Sequence, residues 1–241
     1  MIRPRIIVFA GPVGSGKSTQ MRLLVSELKH KKIKVKLSFL KTGHIFAYLL
    51  EVFLAKMLAS KRKDVYPIRA LFEEKPHIFK KIFRLWLSLD VISISIKFLF
   101  TIYIPLKLGY IIIVEEYIPA VISDYIYLCK IAECVLKPDS LAIALLLKLM
   151  RLGHFTQVIF LDAENDELRL RWKRRGSPYE KDDYLKMQRT MLLSISRKLS
   201  SSELLYINTG KQTIRETHQL IKKRLMGEIN DQAYRSSRSQ H

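Results

Sequence analysis

The sequence predicts an α/β fold, a three-layer sandwich in which a parallel sheet lies between two layers of helices. Three observations carry that expectation. Short apolar runs rich in β-branched residues alternate with stretches of helical periodicity along the chain, the pattern of strands joined by crossover helices. The first apolar run passes through a glycine-rich loop directly into a helical pattern. With 241 residues, 49% of them apolar, the chain can close one substantial core.

Ile6-Ile7-Val8-Phe9-Ala10 has the composition of a strand buried on both faces. After the loop, Met21, Leu24, Val25 and Leu28 fall at helical spacing. Lys29 to Lys32 is a polar connection, and Ile33 to Leu40 alternates as a strand does. Residues 45–87 read as mostly helical, interrupted by the charged stretch Ser60 to Asp64. Val91 to Ile104 is apolar but shorter than a membrane span and carries Lys97, so it reads as a helix buried in the protein, with a membrane-surface contact as the alternative. Tyr110 to Val114 is the most strand-like run, continuous enough to be central. Helices are expected over Ala120 to Cys134 and Ser140 to Leu152, where Gly153 gives a stop. Val158 to Leu161 is a further buried strand ending in Asp162. Helices over Asp166 to Arg175, closed by Gly176, and Asp182 to Leu199 precede a last strand, Leu204 to Ile207, and a last helix, Ile214 to Leu225. Residues 1–226 thus read as one domain; 227–241, polar and without apolar periodicity, read as a disordered basic tail.

The loop Gly11-Pro12-Val13-Gly14-Ser15-Gly16-Lys17-Ser18-Thr19 fits the G-x-x-x-x-G-K-[ST] pattern without a mismatch, between a strand and a helix. Its glycines let backbone N–H groups turn inward around a polyphosphate at the positive end of the helix dipole. Lys17 is placed to reach the β- and γ-phosphates, and the Ser18 hydroxyl to ligate Mg²⁺.

Forty-two Lys and Arg against 22 Asp and Glu leave a formal charge of +20, which favours anionic partners: nucleotides, nucleic acid or acidic lipid. Cys129 and Cys134 are the only cysteines, so a disulfide framework is excluded and a reducing, cytoplasmic setting is the simpler expectation. With no histidine near them, they read as small packing residues. No secretory signal is visible before the first strand. His44 and His154 read as exposed loop residues, and Trp86 and Trp172 as packing residues.

Several separated segments resemble the thymidylate kinase family of phosphate-loop nucleoside monophosphate kinases. The glycine loop sits where that family carries its own. Pro105 to Tyr117 is similar to the family's helix end, glycine, central strand and Asp-Arg-Tyr motif. Val158 to Asp162, followed by Arg171 to Gly176, resembles its fourth strand and arginine-bearing lid, and Tyr179-Glu180-Lys181 with Tyr184-Leu185 continues the likeness. The resemblance runs in order over residues 3–225. It implies a five-stranded parallel sheet with a helical lid, ATP and Mg²⁺ as donor pair, a nucleoside monophosphate (thymidylate by default) as acceptor, and a homodimer.

Within that resemblance, Arg171 and Arg175 lie four apart on one helix face. They read either as forks for the transferring phosphoryl group, with Arg175 the preferred lid residue, or as a solvated face paired with Glu164, Asp166 and Glu167. Glu115 stands where the family has its aspartate and reads as supporting the metal or orienting the attacking oxygen; the other reading is that Glu115 and Glu116 end the strand and cap the next helix. Glu116 stands where the family has an arginine for the acceptor phosphate. Leu40-Lys41-Thr42-Gly43-His44 replaces the family's Arg-Glu-Pro-Gly turn, with Lys41 as the available cation, and Asp90-Val91-Ile92-Ser93 replaces a base-contacting arginine. The functional expectation is a nucleotide kinase; the alternative is a nucleotide-binding regulatory module, bound to nucleic acid or membrane, without the monophosphate site.

Overall fold

The computed structural model describes residues 6–58, 74–134, 136, 140–152, 156–176, 182–199 and 204–225. In chain order these form β1 (Ile6–Ala10), α1 (Lys17–His30), β2 (Val35–Phe39), α2 (Ile45–Leu58), α3 (Pro76–Phe98), a π-helical turn (Leu99–Tyr103), α4 (Ile104–Lys107), β3 (Ile111–Glu115), α5 (Ile118–Ile131), α6 (Leu141–Leu152), β4 (Thr156–Asp162), α7 (Asn165–Arg175), α8 (Asp182–Leu199) and β5 (Leu205–Asn208). A last helix, α9, covers 214–225. The expected break at 60–64, the stop at Gly153, His154, the stretch 179–181 and the tail 227–241 lie outside the described residues.

The five strands form one parallel sheet in the order β2-β3-β1-β4-β5. Strands β1 and β4 are buried along their whole length, as their apolar continuity requires of strands covered on both faces. The edge strand β2 is half exposed. Alternation divides the sheet's side chains between two cores. Ile6, Val8, Ile112 and Phe160 face α3, α5 and α6, whereas Ile7, Phe9, Ile113 and Leu161 face α1 and α9. The three-layer sandwich follows.

Several element ends differ from the expectation. Helix α1 begins at Lys17, because Gly16 at φ 95° turns the loop into the helix with no side-chain cap. Strand β4 begins at Thr156, since the polar Thr156 and Gln157 continue the ladder beside Ile6 and Ile7. Helix α5 stops at Ile131, leaving Cys129 buried within it and Cys134 half-buried beyond it.

The stretch 91–104 departs further. It belongs to a continuous 32-residue helical run, Pro76–Lys107. One side, with Val91, Ile94, Phe98 and Ile102, is in the core. The other, with Ile92, Ile96, Leu99 and Phe100, is exposed. The run is amphipathic in burial although it is apolar all round, which is why composition alone reads as complete burial.

Helices α2 and α3 are joined by an interior polar contact: Trp86 Nε1 donates to Glu51 Oε1 at 2.9 Å. Burial, reinforced by Asp90, pushes the Glu51 carboxyl up to about 7 despite that bond. An acid raised in the folded state folds most readily protonated, so its stabilising state is lost as pH climbs from the ordinary carboxylate value through about 7. Glu51→Gln removes this cost. The variant should match the parent near pH 4.5 and exceed it by up to about 3 kcal/mol above neutrality, measured by urea unfolding across pH. Parallel pH profiles would refute the assignment.

Candidate functional site

The site is built where β1 and β3 end side by side, at the carboxyl edge of the sheet where the chain order reverses. Leaving β1, the chain passes Gly11 at φ 133°, so close to the sheet that a Cβ there would lie 1.9 Å from the Leu161 carbonyl oxygen. Only glycine fits. The loop then closes into α1, with Thr19 and Gln20 N–H groups donating to the Gly16 carbonyl at 3.1 Å each.

The loop is gripped from behind by α7. Trp172 Nε1 donates to the Val13 carbonyl at 2.9 Å, and the ring lies so near Gly14 that a Cβ would sit 2.8 Å from that nitrogen. Arg171 donates to the Gly14 carbonyl at 3.1 Å and to Thr209 Oγ1 and O at 3.0 Å, while its Nε meets Glu167 at 2.8 Å. Its guanidinium is therefore committed to the loop and to the end of β5. Thr209 Oγ1 lies 3.1 Å from the Ser15 carbonyl, completing the brace. Arg175, one turn on, is exposed, and its charge helps to lower the Lys17 pKa.

The predicted metal pair meets. Ser18 Oγ lies 2.9 and 3.0 Å from the two carboxylate oxygens of Glu115, which β3 carries to the loop. Glu115 and Glu116 do not cap the following helix: its N-cap is Tyr117, and no side chain caps it. Among the described residues no group of three or more His, Cys, Asp or Glu could hold a metal ion. A hydroxyl and one carboxylate beside a phosphate loop suit Mg²⁺, which keeps most of its water and takes few protein ligands.

Lys17 Nζ donates to the Gly11 and Pro12 carbonyls at 2.9 and 3.0 Å and lies 3.9 Å from Glu116. Lys41 Nζ approaches the other Glu116 oxygen at 3.4 Å. Glu116 is buried, at φ 51°, a strained conformation for a residue with a side chain. Burial alone would raise its carboxyl, but Lys41 and Lys17 hold it below the usual carboxylate value. Burial draws Lys17 below the ordinary lysine value, against the pull of Glu116 and Glu115.

The turn replacing the Arg-Glu-Pro-Gly sequence is pinned by acids. Asp90 accepts from the Gly43 and His44 N–H groups at 3.0 and 3.1 Å and from the Tyr125 hydroxyl at 2.8 Å. Asp124 accepts from Thr42 Oγ1 at 3.0 Å and from Tyr184 at 2.9 Å. Burial lifts Asp90 to about 6 and also raises Asp124. His44 is not an exposed loop residue: it is half-buried, and its Nε2 lies 3.2 Å from the Lys41 N–H and 2.9 Å from Lys97 Nζ. Burial, then Lys97, pushes it down to about 4. Both tryptophans pack as expected, each also donating its N–H. Sequence reasoning missed Thr209 and Asp124 as parts of the site and gave Tyr184 no role in it, since each is brought in only by tertiary packing.

No family model and no curated protein sequence matches the chain. Among solved structures, thymidylate kinase from Ehrlichia chaffeensis is similar with a TM-score of 0.51 at 19% identity, over 92% of this chain and 98% of that one. Thymidylate kinase from Candida albicans gives a TM-score of 0.58 at 18% identity, over 94% of this chain and 93% of that one. The chain has a thymidylate kinase-like fold.

Replacing Arg171 by Met should cost about 2 kcal/mol of stability, since it strips buried carbonyls of charged donors. Urea unfolding would measure it, and an unchanged midpoint would show that the α7 brace is dispensable.

Proposed function

We propose that the chain transfers the γ-phosphoryl group of ATP, held with Mg²⁺, to a nucleoside monophosphate, thymidylate being the default acceptor. The observation that carries the reading is the meeting of Ser18 with Glu115 at the mouth of the phosphate loop. A second observation fits an anion in that loop: Ser15 Oγ is buried within it without a hydrogen-bond partner.

In this reading the loop from Gly11 to Thr19 cradles the phosphates through those of its N–H groups not bonded within the loop, and Lys17 exchanges the carbonyls of Gly11 and Pro12 for β- and γ-oxygens. Ser18 and Glu115 would hold Mg²⁺, which would supply neutralisation of the phosphate charge. Arg171 fixes the loop through Gly14 and Thr209, and so acts as a positioning residue. Arg175, exposed one turn away, supplies the guanidinium that closes over the transferring group and helps to exclude water. Lys41 is the cation available to an acceptor phosphate. The thymidylate kinase-like fold supports a cytoplasmic nucleotide kinase of this kind.

One feature favours a second reading. Glu116 already pairs with both Lys41 and Lys17, which suits a nucleotide-binding module that has kept the donor site and given up the monophosphate. Incubation with γ-labelled ATP and a panel of monophosphates and nucleosides separates the two: label on thymidylate or another monophosphate supports transfer, and free phosphate alone with every acceptor supports the module. Lys17→Met should cut nucleotide affinity or transfer roughly 100-fold. Glu116→Gln should tighten monophosphate binding about tenfold or more by freeing Lys41, read by calorimetry. No change in the second variant would show that Glu116 does not govern the acceptor site.

A further inference from the structure

We propose that Tyr184 and Asp124 are positioning residues for the acceptor side: a hydrogen-bonded relay through them ties the turn carrying Lys41 to α8, and through α8 to α7. The proposal takes its ligand from the phosphoryl-transfer reading and its geometry from contacts within the chain. Gln188 Nε2 donates to the Tyr184 hydroxyl oxygen at 3.0 Å, the Tyr184 hydroxyl donates to Asp124 Oδ1 at 2.9 Å, and Thr42 Oγ1 donates to Asp124 Oδ2 at 3.0 Å. Gln188, Tyr184 and Asp124 are all buried.

The direction of each bond is fixed. An amide nitrogen only donates and a carboxylate only accepts, so the tyrosine oxygen between them takes one proton and gives its own. The Tyr184 ring is held as well, edge-on to Tyr127 with 4.6 Å between centroids. Asp124 therefore joins three separate places: α5 holds the acid, α8 the phenol, and the turn between β2 and α2 the threonine. Apolar side chains of the same shape would pack these elements together without burying a charge. A carboxylate gripped by two hydroxyls instead fixes one arrangement of the turn, since a small displacement breaks either bond.

Lys41 adjoins Thr42, and its ammonium lies 3.4 Å from Glu116 Oε2. Burial raises the Asp124 carboxyl, and the Lys41 charge opposes that rise. The relay thus sets both the backbone beneath Lys41 and a second carboxylate near its charge. Asp90 holds the other end of the turn from α3, through the Gly43 and His44 N–H groups.

From α8 the connection continues to the donor side. Arg189, next to Gln188, donates Nε to both Asp162 oxygens at 3.0 Å, Nη1 to Asn165 Oδ1 at 2.6 Å and Nη2 to the Ala163 carbonyl at 2.7 Å. These acceptors lie at the end of β4 and the start of α7. Asp182, the first residue of α8, meets Arg169 of α7 at 2.6 Å. Helix α7 in turn carries Arg171, which holds the phosphate loop, and the exposed Arg175. A shift of α7 is thereby passed through α8 to the turn, so that Lys41 is set together with the arginine-bearing helix.

Tyr184→Phe and Thr42→Val, each removing one bond while keeping the side-chain shape, test the relay in the full chain. Hydrogen exchange reads the turn without any ligand: in each variant the Gly43 and His44 amides should exchange about tenfold faster, a larger gain than any in β1 and β3. Calorimetry should show thymidylate bound about tenfold more weakly, and ATP with Mg²⁺ bound within about twofold of the parent. The double variant should lose no more than about twofold beyond either single one, since both bonds act through Asp124. Exchange at the turn that rises only in step with β1 and β3, ATP affinity that falls as far as thymidylate affinity, or additive losses in the double variant would overturn the proposal. Selective loosening of the turn in a protein whose parent form binds no thymidylate would support the relay and count against the phosphoryl-transfer reading alone.

Discussion

The pairing of Glu116 with Lys17 and Lys41 is the constraint around which the site is arranged. A lysine buried at the base of a phosphate loop carries a desolvation cost that its own loop carbonyls offset only in part. Glu116 supplies the missing counter-charge, and it reaches that place through a backbone conformation that strains a residue with a side chain. The strain is sustained because the Glu116 N–H donates to Phe9 and its carbonyl accepts from Leu40, tying the turn to β1 and to the end of β2. One carboxylate thereby links the donor loop to the turn on the acceptor side.

The two sides of the site are held in different ways. The donor loop is braced by donors from outside: Trp172, Arg171 and Thr209 approach its carbonyls. The turn at Leu40 to His44 is instead held by acids accepting from its own N–H and hydroxyl groups. Those amides are already engaged. Lys41 is the cation carried by that turn, and its charge is shared with Glu116.

The sequence carries the donor site almost completely, because a phosphate loop is local: nine consecutive residues between a strand and a helix specify it. Ser18 meeting Glu115 across 97 positions was legible through the strand that precedes Glu115. The inner strands β1, β3 and β4 were legible because apolar runs buried on both faces admit few other readings, and the half-exposed edge strand β2 through its alternation. What stayed hidden is nonlocal or depends on faces. Arg171 reads in the sequence either as a phosphoryl fork or as a partner of nearby acids; in the fold its Nε meets Glu167 and its other nitrogens go to Gly14 and Thr209. His44 is half-buried because Lys97 of α3 lies against it. The exposed side of the run through Phe100 has the same composition as its buried side, so no periodicity distinguishes them.

The π-helical turn at Leu99–Tyr103 has its own consequence. A π-turn is what one additional residue leaves in an α-helix, and each residue rotates the following chain by about 100°. Such a turn takes up the additional residue locally, so a one-residue change of length at this point can be absorbed by the helix instead of being passed on to Pro105, Gly109 and the entry to β3.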